Sequence, residues 1–175
     1  GRLEMLAELI RHENERQNLI AKPTVASLWL RHIADSAQLL THGPHETSPE
    51  VWLDLGTGAG FPGLVIAAMR PDWCVRLVES RKLRIEWLEQ ARITLSLDRC
   101  EILGERLERV TSFPASVISA RAFAPMPRLL DLSARFSTSD TIWLLPKGRS
   151  APQDLASLPA ARRALFHVKQ SRSVR

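Results

Sequence analysis

The spacing of apolar positions changes along the chain, and each spacing predicts a kind of element. In residues 2–19, Leu3, Leu6 and Ile10 recur at helical intervals among charged neighbours, which predicts an amphipathic helix. Lys22-Pro23-Thr24 interrupts it, and Thr24 or Ser27 is expected to cap a second helix running to about Leu40. His42-Gly43-Pro44 through Pro49 reads as a loop. Short apolar runs then alternate with amphipathic ones. Strands are expected at 51–55, 74–79, 100–104, 116–121 and 141–146, and helices at 62–70, 81–95 and 127–136. A helical turn near Glu105–Arg109, a last helix at about 152–158 and a weak strand at 165–169 complete the pattern.

Strands alternating with helices predict a mostly parallel sheet covered by helices on both faces. No repeat or low-complexity linker divides the chain, so one compact unit is expected. A helical extension over 1–45 would act as a lid on a domain over 46–175. In sheets of this kind ligands bind past the carboxyl ends of the strands, where the strand order reverses.

The first strand leads into DLGTGAGFPG, Asp54 to Gly63, with four glycines in ten positions. Gly58-Ala59-Gly60-Phe61-Pro62-Gly63 matches G-x-G-x-x-G, the dinucleotide fingerprint, and a nicotinamide-dependent oxidoreductase is one reading. Against it, Gly56-Thr57 separates the match from the strand, and Pro62 removes a backbone donor where a pyrophosphate would need one. Read from the strand, the stretch is an acidic Asp54 followed by Gly56-x-Gly58-x-Gly60, which resembles motif I of the class I S-adenosylmethionine-dependent methyltransferases. That cofactor has no phosphate, and its sulfonium and amino-acid end suit a carboxylate beside a bare backbone loop. Glu79 closes the second strand, 23 residues after Gly56, where a carboxylate can accept hydrogen bonds from ribose hydroxyls. It would serve either cofactor equally.

Composition narrows the partner. The net charge is +5 and the basic residues Lys147, Arg149, Arg162, Arg163, Lys169, Arg172 and Arg175 face only Asp154 in the last stretch, which favours a polyanion. No apolar run reaches the roughly 20 residues of a membrane span, and a cytoplasmic location is expected. Cys74 and Cys100 form no metal pattern and read as buried thiols, so no metal is expected. Both cysteines begin strands, at the wrong end of the sheet for a cytosine-C5 nucleophile. The fourth strand leads into Ser119-Ala-Arg121-Ala-Phe123-Ala-Pro125, which lacks the Asp/Asn-Pro-Pro-Tyr/Phe motif of amino-methylating enzymes. An acceptor with a ready lone pair is left, either a ring nitrogen or a hydroxyl.

Several stretches together resemble the bacterial small-subunit ribosomal RNA guanine-N7 methyltransferase family, GidB or RsmG. They are Asn18-Leu19, RHIADSAQLL (31–40), LDLGTGAGFPGLVIA (53–67), LVESRKLRIEWL (77–88), ERLERV (105–110), SARAFAPMPRLL (119–130) and LLPKG (144–148). The family's final hairpin strand has no clear counterpart before Ser173-Val174-Arg175. The resemblance implies a Rossmann-like fold and methyl transfer from S-adenosylmethionine to N7 of a guanine in 16S ribosomal RNA. Gly56, Phe61 and Arg121 would then line the cofactor site, and Leu107, through its main chain, and Glu108 would contact the adenine. No general base is expected, since N7 carries an in-plane lone pair.

Arg121 is the candidate nearest the reacting centre, holding guanine O6 or a phosphate, with a salt bridge to Asp54 or Glu108 as the plainer alternative. Lys147 reads as a phosphate contact or a solvated loop lysine. Arg31, His32, Asp35 and Ser36 fall about a turn apart, and Asn18 and His32 are candidates to face the substrate. Trp29 and Phe123 are candidates to stack on a guanine, while Trp52, Trp73, Trp87 and Trp143 fit the core. The expected partner is 16S RNA or a small-subunit assembly intermediate, bound by a monomer. A non-catalytic RNA-binding or assembly protein that retains the pocket is the third reading.

Overall fold

The structure is a computed structural model and describes residues 1–44 and 51–171. Five short strands form one parallel sheet: β1 (Trp52–Leu55), β2 (Val75–Val78), β3 (Cys100–Leu103), β4 (Val117–Ala120) and β5 (Ile142–Leu144). Their order is β3-β2-β1-β4-β5, so the direction of winding reverses between β1 and β4. Trp52 pairs with Val75 on one side and with Val117 on the other, which sets the carboxyl ends of the three central strands level. The expected α/β architecture, a parallel sheet with helices on both faces, is therefore the one observed.

The two-residue period of β1 sorts its side chains. Trp52 and Asp54 point to the face covered by α1 (Arg2–Gln17), α4 (Gly63–Met69) and α5 (Lys82–Thr94), where Leu6, Ile10, Leu64, Leu77 and Leu88 are fully buried. Leu53 and Leu55 point to the other face, against Leu107, Leu129 and Phe136 from α6 (Met126–Ser133) and its flanks. The amino-terminal segment shares the first core through Leu28, Ile33 and Leu39.

Local chemistry explains where the helices begin and end. α1 stops at Asn18, which adopts the left-handed conformation (φ 36°) that asparagine tolerates. Pro23 sits in the first turn of α2 (Lys22–Val25), where its missing N–H costs nothing. The proline therefore starts the helix, and the expected capping roles of Thr24 and Ser27 do not hold. Their hydroxyls donate backward, to the carbonyls of Ala21 (2.7 Å) and Thr24 (3.4 Å). The chain then takes a π-helical turn over Trp29–Ala34, a short α3 (Asp35–Ala37) and a tight turn over Gln38–Thr41. Most of the expected loop up to Pro49 lies outside the described residues.

Two other expectations need correction. Residues 165–169 form no strand. After α7 (Ala151–Ala156) and α8 (Ala160–Arg163), the amides of Leu165 and Phe166 bond back to Arg162 and Arg163, and Leu165 and Val168 face solvent. Without a buried face, the apolar positions there cannot hold a ladder. Cys100 is buried but Cys74, one residue ahead of β2, is only half-buried. Burial pushes the Cys100 thiol up to about 12, which makes it inert as a nucleophile.

Candidate functional site

The glycine stretch leaves β1 at the point where the strand order reverses. Gly56, Gly58 and Gly60 all have positive φ, at 62°, 59° and 99°, so the chain folds over itself within a few residues. The turn is closed by amides of Gly60 and Phe61 bonding to the Thr57 carbonyl, at 2.9 and 3.1 Å. α5 holds it from behind, with Trp87 Nε1 donating to the Ala59 carbonyl at 3.0 Å.

α4 begins immediately after a cis Phe61–Pro62 bond, with its early amides already engaged. The Gly63 amide donates to Asp54 (3.1 Å), and the Leu64 and Val65 amides bond to the carbonyls of Gly60 and Pro62. A helix start with these donors spent offers a pyrophosphate little, which counts against a dinucleotide.

Asp54 is fully buried. One carboxylate oxygen takes the Gly63 amide and the other takes the Ser119 hydroxyl at 2.7 Å, while Trp52 Nε1 donates to that same hydroxyl at 2.9 Å. The residue therefore ties β1, β4 and α4 together beneath the loop. Burial pushes its carboxyl up to about 6, against the hydrogen bonds that favour the charge.

Glu79 follows β2 and is also buried, at 4% exposure. Its oxygens accept from the amides of Ser80 (2.8 Å), Arg81 (2.9 Å) and Gly58 (3.1 Å). The Arg81 guanidinium adds a two-pronged contact, Nε to Oε1 and Nη2 to Oε2, both at 3.2 Å. Burial alone would raise this carboxyl, but Arg81 and the amides outweigh it and hold it below the usual range. Reading the sequence did not find Arg81. Its one signal was an arginine two positions past a strand-ending glutamate.

Across the crevice, Arg121 stands one residue beyond β4, half-buried. Its Nη1 donates to His32 Nδ1 (3.2 Å), and its guanidinium lies 5.2 Å from the centre of the Phe61 ring. The His32 ring stacks on the same phenylalanine, with centroids 5.0 Å apart. Because a guanidinium only donates, Nδ1 must accept, and Nε2 carries the proton and donates to Thr24 Oγ1 at 3.1 Å. Burial, then the Arg121 charge, lower the His32 pKa to about 4, so the ring is neutral at physiological pH. Among the described residues no carboxylate forms an ion pair with Arg121, so the salt-bridge alternative to Asp54 or Glu108 is replaced by a neutral histidine.

The other candidates scatter. Phe123 is half-buried with its ring against Gly56, where an added Cβ would come within 2.5 Å of Cδ2. Leu107 is buried and its carbonyl accepts from Arg135. Glu108 is exposed and pairs with Arg128 at 3.8 Å. Asn18 ends α1, its carbonyl held by Arg84 Nη2 at 2.8 Å. Arg31 and Trp29 are exposed on the π-helical turn. Lys147 is largely covered and pairs with Asp154 at 3.4 Å. Beside Arg121 a cleft of about 1290 Å³ runs along β5, with Pro62, Gln38, Leu145 and Phe166 among its walls. Among the described residues no helix is long and apolar enough to cross a membrane.

Comparison with known proteins agrees with this geometry. Among solved structures, the chain overlays mitomycin 7-O-methyltransferase MmcR with a TM-score of 0.56 at 18% identity, over 89% of this chain and 53% of that one. It overlays coclaurine N-methyltransferase, bound to N-methylheliamine and SAH, with a TM-score of 0.57 at 19% identity, over 65% of this chain and 34% of that one. At such identities the likeness concerns the fold, that of S-adenosylmethionine-dependent methyltransferases. Sequence relatives are nearer. A ribosomal RNA small subunit methyltransferase G from Erythrobacter litoralis is 56% identical over 170 residues, covering 97% of this chain and 81% of that protein. One from Novosphingobium aromaticivorans is 55% identical over 172 residues, covering 98% and 74%. The GidB description, rRNA small subunit methyltransferase G, matches residues 1–174, and the chain belongs to that family.

Proposed function

We propose that the protein transfers a methyl group from S-adenosylmethionine to N7 of a guanine in 16S ribosomal RNA. The observation that carries this reading is the state of the titratable groups around the crevice. Both oxygens of Asp54 and both ring nitrogens of His32 are engaged by protein partners, and Glu79 is held by three amides and a guanidinium. Asp35 on the cleft wall likewise accepts from Gln38 and Ser171, so among the described residues the site supplies donors and a cation but no waiting proton acceptor. It suits an atom whose lone pair is already free, as N7 of guanine is, and suits poorly one that must first be deprotonated.

The residues present fit the cofactor. Gly56 and Gly58 give a backbone cradle at positive φ, Glu79 can accept from the ribose hydroxyls, and Arg121, seated over the buried Phe61 ring, would face the reacting centre. When bound, the cofactor supplies an electrophilic methyl on a sulfonium. Arg121 would position the guanine or its phosphate, and the Thr24–His32 pair would keep the guanidinium aimed. Leu107 and Glu108 flank the adenine side in this reading. Asn18, Arg31 and Phe123 are proposed at the RNA side, with the helical extension over 1–45 as a lid. Rate enhancement would come from in-line placement and exclusion of water.

The test is incubation with 16S RNA and methyl-labelled cofactor, followed by chemical cleavage at 7-methylguanosine. Label at N7 of one guanine is expected. Arg121→Ala should lower transfer about a hundredfold or more while circular dichroism stays unchanged. Label at another atom would overturn the acceptor assignment, and near-normal transfer by the variant would overturn the role of Arg121.

A further inference from the structure

We propose that Arg81 is an internal competitor for the seat of the cofactor's ribose and thereby sets cofactor affinity. The inference rests on the methyl-transfer reading above. A carboxylate offers about four lone-pair positions, and three amides already use Glu79: Ser80, Arg81 and Gly58. The Arg81 fork adds two more donors, one nitrogen to each oxygen at 3.2 Å. Five donors thus crowd about four positions, and departure of the fork opens Oε2, which otherwise holds only the Gly58 amide. A vicinal diol binds a carboxylate in the same way, one hydroxyl to each oxygen. Arg81 and a ribose therefore cannot both be bidentate on Glu79. The guanidinium also overhangs the glycine cradle, since Nη2 is 3.7 Å from where a Cβ on Gly58 would stand.

The asymmetry of burial says which partner moves. The Arg81 side chain is 64% exposed and Glu79 only 4%, so the arginine can return to water while the carboxylate cannot. The amides of Ser80, Arg81 and Gly58 stay in place and keep Glu79 aimed after the guanidinium leaves. A cofactor thus binds only the fraction of molecules whose arginine has swung out, and its apparent affinity drops by that fraction.

Calorimetry with S-adenosylhomocysteine tests this on the wild-type chain, Arg81→Ala and Arg81→Lys. Arg81→Ala should bind about two- to fivefold tighter, the range expected for an ion pair with one exposed member. Arg81→Lys, which keeps the charge but loses the fork, should fall between. In a Glu79→Gln background the change at 81 should have no effect. A further readout leaves Glu79 untouched: salt screens the ion pair, so the gap between wild type and Arg81→Ala should close as salt rises. Equal or weaker binding by Arg81→Ala would mean that the arginine orients Glu79 for the ribose, and would overturn the proposal while leaving the methyltransferase reading intact. Binding by neither chain would overturn both.

Discussion

Asp54 sits where two demands conflict. Its oxygens are needed as acceptors for Gly63 and Ser119, yet full burial penalises the charge that makes them good acceptors. The result is a carboxyl raised from 3.8 to about 6. A carboxyl raised on folding contributes stability that is complete below its unfolded value and is lost as pH rises through its folded one. The window is therefore about pH 4 to 6, and the full effect is roughly 3 kcal/mol. Urea unfolding should show the stability of wild type falling relative to Asp54→Asn across that window and level above it. A difference independent of pH would refute the buried titration. The sequence marked Asp54 as a cofactor contact because it precedes the glycines. That it fastens the loop from below depends on Ser119, 65 positions away, and no local spacing encodes that.

At the scale of elements, the junction of β1, the loop and α4 was the most legible part of the chain. An apolar run followed by clustered glycines has few other physical uses, and the alternation of strand and helix patterns followed from buried parallel strands. Gly63 illustrates what the pattern did not convey. It was read as the last glycine of a motif, but its space belongs to its neighbours: a Cβ there would lie 2.1 Å from Leu77 Cδ2 and 2.9 Å from Asp54 Oδ2. Gly63→Ala should therefore destabilise the fold by about 1–3 kcal/mol in chemical denaturation, through displacement of β2 and the Asp54 carboxylate. An unchanged midpoint would show that α4 can shift away. The His32–Arg121 bond escaped for another reason. Arg121 and His32 lie 89 positions apart and meet only because the helical segment after α2 crosses the exit of β4.

For the molecule as a whole, the net charge of +5 pointed to a polyanion, and the family is one of ribosomal RNA methyltransferases. Of the expected basic stretch, Arg149, Arg163 and Lys169 are exposed, and Arg172 and Arg175 lie outside the described residues. Lys147 is paired with Asp154 and Arg162 with Asp131 at 2.7 Å. A paired lysine releases few counterions when RNA binds. Lys147→Ala should therefore change the salt slope of RNA affinity by much less than the roughly 0.7 per phosphate expected for a single-strand contact. Filter binding across a salt series measures this directly, and loss of a full contact's worth of slope would place a phosphate on Lys147. Composition gave the sign of the partner's charge, but pairing decides which basic residues are available to it.

The π-helical turn at Trp29–Ala34 has a consequence of its own. Such a turn spends one residue more than an α-helical turn would. A chain lacking one residue there could close an unbroken α-helical ladder, and by propensity alone it would be the better helix. The deletion would also rotate everything on one side of it by about 100° relative to the other, parting His32 from Thr24 eight positions earlier. The exposed side chains of this segment, such as Trp29, Leu30 and Arg31, can change at little cost, but its length is constrained. The spacing between Thr24 and His32 acts as a count that the site reads.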